Sequence, residues 1–396
     1  MSNGRFFENV KRIAIELTDE KIPYQFIDTT SLRIQGVSGF ENKHDIILLI
    51  QWDLLEKAYH LYESYYPKEI TKDKQKASFQ FTRDDYLITV LCYFNTTIKT
   101  DPYRISIVYE NIDLWCHSLY AEIYIKDYQY SNEIHAYLLS KHEEMTAVNQ
   151  EAWNQNNYQA LINRFGTPGE AALKLIENPR WRLHPFQKYL PEEMDAKKVL
   201  HLLGSNGVKG VSLALLGADV TIVDFSNENR AFANELSNAA GVSIQYIVSD
   251  ALSISEKVIE SFDIVLMELG VLHYFIDLKP LATTIKQMLK SEGRFMLHEF
   301  HPISTKLITS NGKKHKVTGN YFDPSIHTQS IAFSKHLSEV DHSESQVVYQ
   351  RRWTLGEVIT TFSKEGLVAE VLEEEPNHKQ HDIGLPKTFT LICKKI

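Results

Sequence analysis

The stretch Lys198–Asp224, KVLHLLGSNGVKGVSLALLGADVTIVD, decides how the chain around it is read. It opens on the apolar run Val199–Leu203, short enough for a buried parallel strand. The tight turn Gly204-Ser205-Asn206-Gly207 follows, then a helical segment carrying Val211, Leu213, Ala214, Leu215 and Leu216, closed by Gly217. A second apolar run, Val220–Val223, ends on Asp224. Strand, glycine turn, helix, strand and acid form the βαβ unit that binds nucleotide-like cofactors. Small turn residues let backbone N–H groups approach a ligand, and an acid ending the second strand accepts from two ribose hydroxyls.

At 396 residues the chain is long enough for two domains. Apolar residues at 43% and charged residues at 23% describe a globular protein able to bury real cores. A net charge of −9 argues against a nucleic acid as the main partner. The three cysteines, Cys92, Cys116 and Cys393, show no metal-like pairing, which fits a reducing cytoplasm and no structural zinc. No long apolar stretch suggests a leader or a membrane span. A soluble, cytoplasmic protein is the expectation.

Residues 1–130 read as a separate α/β domain. Phe7, Val10, Ile13 and Leu17 share one helical face, and Ile22–Ile27 is a short strand. Ser31–Ile34 begins a helix, Asp45–Ile50 is a strand, and Trp52–Tyr66 is an amphipathic helix. Three strand-like runs follow at Ser78–Thr82, Tyr86–Phe94 and Ile105–Tyr109. This order resembles a minimal nucleotidyltransferase. Asp28-Thr29 stands where that family has its glycine turn, and Asp45-Ile46-Ile47 keeps one acid where the family has two. Two-metal phosphoryl chemistry needs clustered carboxylates. The domain is therefore expected to be inactive, kept for packing, dimerisation (hence a homo-oligomer) or substrate gating. Residues 131–195 are expected to be a helical linker or lid, broken at Gly166-Thr-Pro-Gly169, with Trp153, Trp181 and His184 candidates to line it.

In residues 196–396 the elements continue in α/β order. Asn227–Ala240 is a helix that Ser226 can cap, and Ile244–Val248 a strand ending in Ser249-Asp250-Ala251. Phe262–Met267 is the next strand, ending at Glu268-Leu269-Gly270; Leu281–Leu289 is a helix and Arg294–His298 a fifth strand. Val368–Glu373 and Thr388–Cys393 read as an antiparallel hairpin at the edge of an otherwise parallel sheet, with Glu373-Glu374-Glu375 a solvated hairpin loop.

From about residue 150 the chain resembles a class I S-adenosylmethionine-dependent methyltransferase. The glycine turn closes about seventeen residues before Asp224, and Ser249-Asp250-Ala251 stands where that family reads adenine. Asp263-Ile-Val-Leu with Leu272-His273-Tyr274-Phe275 resembles its fourth-strand motif, and LKSEGRFMLHEFHP its fifth-strand entry. The resemblance implies a Rossmann-like seven-stranded sheet with an antiparallel C-terminal hairpin, S-adenosyl-L-methionine as cofactor, and a small-molecule methyl acceptor. It implies cofactor contacts from Gly204, Ser205, Asn206, Gly207, Asp224, Phe225, Asn229, Asp250, Ala251, Glu268 and Leu269. His201 stands where the family has an acid, and Leu203 and Ser205 where it has glycines. Two alternatives stay open: an NAD(P)-dependent oxidoreductase, since Ser205, Gly207 and Gly210 approximate a dinucleotide fingerprint, and a non-catalytic S-adenosylmethionine-binding protein.

Methyl transfer to oxygen or nitrogen requires removal of a proton, and histidine titrates in the range that suits a base. His301 is the first candidate, His273 the second, and Glu299 an orienting carboxylate. Residues 302–347 are expected to be a cap. Its basic run Lys313-Lys314-His315-Lys316 reads either as a contact for an anionic acceptor or as a solvated loop, and Lys306, Tyr321-Phe322-Asp323 and His336 are further polar groups. The run Arg351-Arg352-Trp353 after it offers an arginine that can reach the acceptor.

Overall fold

The computed structural model describes residues 2–123, 128–254, 261–311, 314–331, 347–376 and 384–396. The chain divides into two compact units, residues 1–140 with 322–324, and residues 141–321 with 325–396. Lys313 and His336 lie outside the described residues.

The first unit contains α1 (Ser2–Asp19), β1 (Tyr24–Phe26), α2 (Asp28–Ile34), β2 (Asp45–Ile50), α3 (Leu55–Leu61), β3 (Thr71–Lys72), β4 (Lys76–Arg83), β5 (Tyr86–Tyr93), β6 (Arg104–Tyr109), β7 (Ile112–His117) and α4 (Leu119–Glu122). Its mixed sheet runs β3-β4-β5-β2-β1-β7-β6. Phe6, Val10, Ile13 and Leu17 of α1 are buried against Ile46, Leu48 and Ile50 of β2 in one core. Two boundaries differ from the sequence reading. The helix expected over Trp52–Tyr66 is α-helical only at Leu55–Leu61, and Tyr66, next to Pro67, is left-handed at φ 51°. The strand β7, not singled out in the sequence, is legible in the alternation Ile112, Leu114, Cys116.

The helix α5 (Ser131–Trp153) spans the boundary at 140/141. The second unit continues with α6 (Asn157–Phe165), α7 (Pro168–Glu177), β8 (Lys198–Leu202), α8 (Val208–Leu215), β9 (Asp219–Asp224), α9 (Asn227–Ala240), β10 (Gln245–Val248), β11 (Phe262–Glu268), α10 (Leu278–Met288) and β12 (Leu289–Phe300). Then come β13 (Ile308–Asn311), β14 (Lys314–Val317), β15 (Ile326–Ser330), β16 (Val347–Arg351), α11 (Leu355–Lys364), β17 (Leu367–Pro376) and β18 (Pro386–Lys395). Gly166 ends α6 at φ 86°, and Thr167 starts α7 with a complete capping box, its hydroxyl on the Glu170 N–H. The expected helical linker is therefore not a separate body past residue 140. Leu161, Ala171 and Leu175 of α6 and α7 pack with Phe232 and Leu236 of α9 in one core.

The main sheet runs β10-β9-β8-β11-β12-β18-β17. The first five strands are mutually parallel, and β18 is antiparallel to both β12 and β17. The hairpin expected at the edge is present, but Glu373-Glu374-Glu375 belongs to β17 rather than to its loop. From β8 the chain proceeds outward to β9 and β10, then crosses to the other side of β8 for β11. That reversal leaves a crevice at the carboxyl ends of β8 and β11, where open α/β sheets bind ligands.

The helix α8 leaves β8 through Gly207, in the left-handed region at φ 73°, where an added Cβ would stand 2.6 Å from the Ala233 Cβ of α9. Gly207→Ala is expected to destabilise the second unit by about 2–4 kcal/mol, the sum of left-handed strain and overpacking. A urea-unfolding midpoint equal to that of the parent protein would refute that account of the turn.

Candidate functional site

The turn after β8 places Leu203 (φ 49°), Ser205 (φ 47°) and Gly207 (φ 73°) in the left-handed region on alternate residues. Glycine is the default there, and each non-glycine costs about 1–2 kcal/mol. The conformation is held from several sides. The Ser205 N–H donates to Asp224 Oδ2 at 3.1 Å, and the Tyr246 hydroxyl to the Ser205 carbonyl at 2.7 Å. The Gly204 N–H donates to the Val223 carbonyl at 3.3 Å. Gly204 is required by space, since a Cβ would stand 2.6 Å from Ile222 Cγ2 and 2.9 Å from His201 Nδ1. Leu203 and Ser205 therefore occupy glycine conformations without rebuilding the turn.

Asp224 is buried at the end of β9. Its second oxygen accepts from the Ser226 N–H at 2.9 Å and from Asn229 Nδ2 at 3.1 Å, and Asn229 Oδ1 accepts from Asn157 Nδ2 at 2.7 Å. Burial pushes the Asp224 carboxyl upward, and these three donors pull it back. Beside it a narrow crevice is lined by Phe225, Asp250, Ala251, His142 and Phe275. His142 stacks on Phe275, ring centroids 5.4 Å apart, with Nε2 3.4 Å from Asp250 Oδ2.

Leu203, Asp224, Phe225 and Tyr274 also line a much larger cleft of about 1150 Å³ at the carboxyl ends of β8, β11 and β12. Gly204, Ser205, Asn206, Asn229, Glu268 and Leu269 face that cleft, as do Trp153, Trp181 and His184. Of the expected cofactor residues, Asp250 and Ala251 line the crevice, while Gly207 does not line either space but shapes the turn. The exposed Lys314 and Lys316 lie on the β13–β14 hairpin outside the cleft lining.

The candidate bases separate by geometry. His301 is buried away from the cleft lining. Its Nδ1 accepts the Ile303 N–H at 3.1 Å, which leaves Nε2 to donate to Glu374 at 2.7 Å. Both ring nitrogens thus serve structure, tying the turn after β12 to β17. Glu299 lines the cleft but orients no histidine. It accepts the backbone N–H groups of Gly270, Val271, Leu272 and Phe300 at 2.6, 2.9, 3.1 and 2.7 Å, fixing the loop after β11. His298 is buried with Nδ1 against Thr390 Oγ1 at 2.9 Å, and burial lowers its pKa to about 4. His273 alone of the three favoured candidates combines a titratable ring with a place on the cleft wall. Burial and then the Arg352 charge lower its pKa to about 3, so the ring is neutral at physiological pH.

Residues 203–297 match the methyltransferase domain family. The matched stretch runs from the turn after β8 into β12. The turn, Asp224 and the Asp250 crevice fit a nucleoside ligand. No curated protein matches the chain. Among solved structures, a putative S-adenosylmethionine-dependent methyltransferase from Listeria monocytogenes is 21% identical, with 56% of this chain and 99% of that one covered at a TM-score of 0.45. One from Mesorhizobium loti is 18% identical, with 56% and 100% covered at 0.43. Magnesium protoporphyrin IX methyltransferase from Synechocystis PCC 6803 with bound SAH is 10% identical, with 63% and 99% covered at 0.39.

Two residues of the cleft, Lys209 and Arg182, escape a reading by motif. One sequence signal does point to Lys209. A cation in the first turn of a helix opposes the helix dipole and needs a partner, which here is Glu268.

Ser205 combines left-handed strain with a buried hydroxyl that has no hydrogen-bond partner among the described residues. Ser205→Gly removes both penalties against the extra chain entropy of glycine, so it is expected to stabilise the second unit by about 1 kcal/mol. A fall in the unfolding midpoint would contradict this.

Proposed function

We propose that the methyltransferase transfers the methyl group of S-adenosylmethionine to a small, anionic, non-nucleic-acid acceptor in the cytoplasm, with His273 taking the proton the acceptor atom gives up. The observation that carries this reading is a neutral His273 lining the same cleft as Arg352, close enough to feel its charge. A guanidinium binds carboxylate or phosphate through paired donors. Burial, and after it the Arg352 guanidinium, suppresses the basicity of His273. An anion neutralising Arg352 removes the smaller of these two effects, so acceptor binding shifts His273 toward a stronger base. His301, with both ring nitrogens occupied, is a positioning residue. Two features favour methyl transfer over the nicotinamide alternative: the family match of residues 203–297 and the single antiparallel strand β18 between β12 and β17.

For the first unit we propose a nucleotidyltransferase-like domain without phosphoryl chemistry. Asp45 is flanked by Ile46 and accepts the Thr29 hydroxyl at 2.9 Å, while Asp28 accepts the Tyr128 hydroxyl at 3.1 Å. Neither carboxylate is set as one of a metal-binding pair.

S-adenosylmethionine and S-adenosylhomocysteine are expected to raise the melting temperature of the full chain, and Asp224→Ala to abolish the shift. A shift with NAD(H) alone would replace this reading with the oxidoreductase. Methyl-labelled S-adenosylmethionine incubated with a small-molecule extract should yield labelled product. His273→Ala is expected to lower that yield about 100-fold while the S-adenosylhomocysteine shift persists, and His301→Ala to retain transfer. The assignment of His273 fails if its alanine variant transfers at the parent rate. Transfer of labelled nucleotide in the presence of Mg²⁺ would refute the proposal for the first unit.

A further inference from the structure

In the sheet order β10-β9-β8-β11-β12, the last strand lies three places from β9, about 14 Å at about 4.8 Å per strand. A nucleoside at Asp224 and Asp250 therefore leaves the cleft over the ends of β11 and β12 free. That part carries apolar surface. Phe300 ends β12 with 37% of its surface exposed, Leu269 follows β11 with 44% exposed, and both line the cleft. Exposed apolar side chains gathered on a concave wall mark a ligand surface. Leu269 is held in the left-handed region at φ 44°, unfavourable for leucine, with its N–H donating to the His298 carbonyl at 2.7 Å. Gly270 follows at φ 83°, and a Cβ there would stand 3.4 Å from both His273 Cε1 and Phe300 Cε2. The imidazole and phenyl edges thus meet beside one glycine, whose lack of a side chain keeps the space between them clear.

Two polar groups accompany that surface. Among the described residues neither His273 ring nitrogen has a hydrogen-bond partner, and no carboxylate pairs with the Arg352 guanidinium. Arg352 is nevertheless anchored. Its carbonyl accepts from Lys306 Nζ at 2.8 Å, and its Nη1 donates to the Thr305 carbonyl. Glu299, which also lines the cleft, is occupied by four backbone N–H groups. The remaining Arg352 donors are therefore available to a carboxylate from the ligand. Burial and then the Arg352 charge make His273 a weak base, with a pKa of about 3. A weak base suits an acidic proton on the acceptor. A phenol ionises at about pH 10, whereas water, which aliphatic alcohols resemble, does so only at about 15.7.

We propose that the methyl acceptor is an aromatic hydroxy acid, its ring against Phe300 and Leu269, its carboxylate on Arg352 and its hydroxyl toward His273. This rests on the methyl-transfer reading above and adds the chemical class of the acceptor. A ring laid on Phe300 gains offset or edge-on aromatic contact beyond the area it buries. In the transfer the phenolic oxygen bonds to the methyl carbon as that carbon's bond to sulfur breaks, the electron pair staying on sulfur. The phenolic proton passes to a free nitrogen of His273. The products are an aryl methyl ether, S-adenosylhomocysteine and an imidazolium. The carboxylate held by Arg352 offsets the guanidinium charge that would otherwise oppose this imidazolium.

The test is calorimetric titration of the full chain, loaded with S-adenosylhomocysteine, with the three hydroxybenzoate isomers and the matching hydroxycyclohexanecarboxylates. The latter keep the acid and the hydroxyl but lack the aromatic ring. At least one hydroxybenzoate should bind about tenfold more tightly than its saturated counterpart, and labelled S-adenosylmethionine should convert it to the methyl ether. Phe300→Ala and Arg352→Gln should each lower that affinity about tenfold, with S-adenosylhomocysteine affinity within about twofold of the parent. Retained S-adenosylhomocysteine binding also shows that each variant is folded. Equal binding of aromatic and saturated acids, binding of neither, or a methyl ester as product would overturn the aromatic hydroxy acid while leaving methyl transfer standing. A parent protein that does not bind S-adenosylhomocysteine would instead overturn the methyl-transfer reading beneath it.

Discussion

The Asp224 carboxylate is the constraint on which the second unit's site depends. One of its oxygens holds the Ser205 N–H of the turn, and the other holds the Ser226 N–H and the Asn229 side chain at the start of α9. Two loops from neighbouring strands thus share one buried acid. This explains how the turn tolerates leucine and serine in conformations that favour glycine, because the strain is opposed by contacts the surrounding fold already requires. It also means that Asp224 has a structural load of its own, apart from any ligand.

How much of this was legible in the sequence follows from the range of the forces involved. The βαβ unit and the order of later strands could be read because local patterning fixes them: buried parallel strands are short apolar runs, with Asp224 ending β9 and Asp250 just past β10. An antiparallel C-terminal hairpin at the sheet edge was expected and is present as β17 and β18, with β18 next to β12. The division of labour among histidines was not legible. His298, His301 and His273 differ chiefly in which nitrogens are already bonded and which wall they face, and those partners, Thr390, Glu374 and Arg352, are distant in sequence. Glu299 is similar: alternation along β12 set its face, but its four backbone donors come mainly from the loop after β11.

The helical stretch between the two sheets shows another limit. Local signals located its breaks correctly, Gly166 as a left-handed terminus and Thr167 as a cap. They did not say with which core each helix would be buried. That depends on the apolar faces of α6 and α7 meeting α9, a tertiary choice that no window of sequence contains.

The edge strand β17 carries a consequence of a different kind. Among the described residues no strand neighbours its outer backbone groups, and such an edge invites another chain to add itself to the sheet. Glu370, Glu373, Glu374 and Glu375 line this strand, with Glu373 tied to Lys188 and Tyr189 and Glu374 to His301. A second copy approaching edge to edge would bring like charges together in register. The same acids that fasten the strand to its own fold therefore discourage the sheet from growing into a polymer.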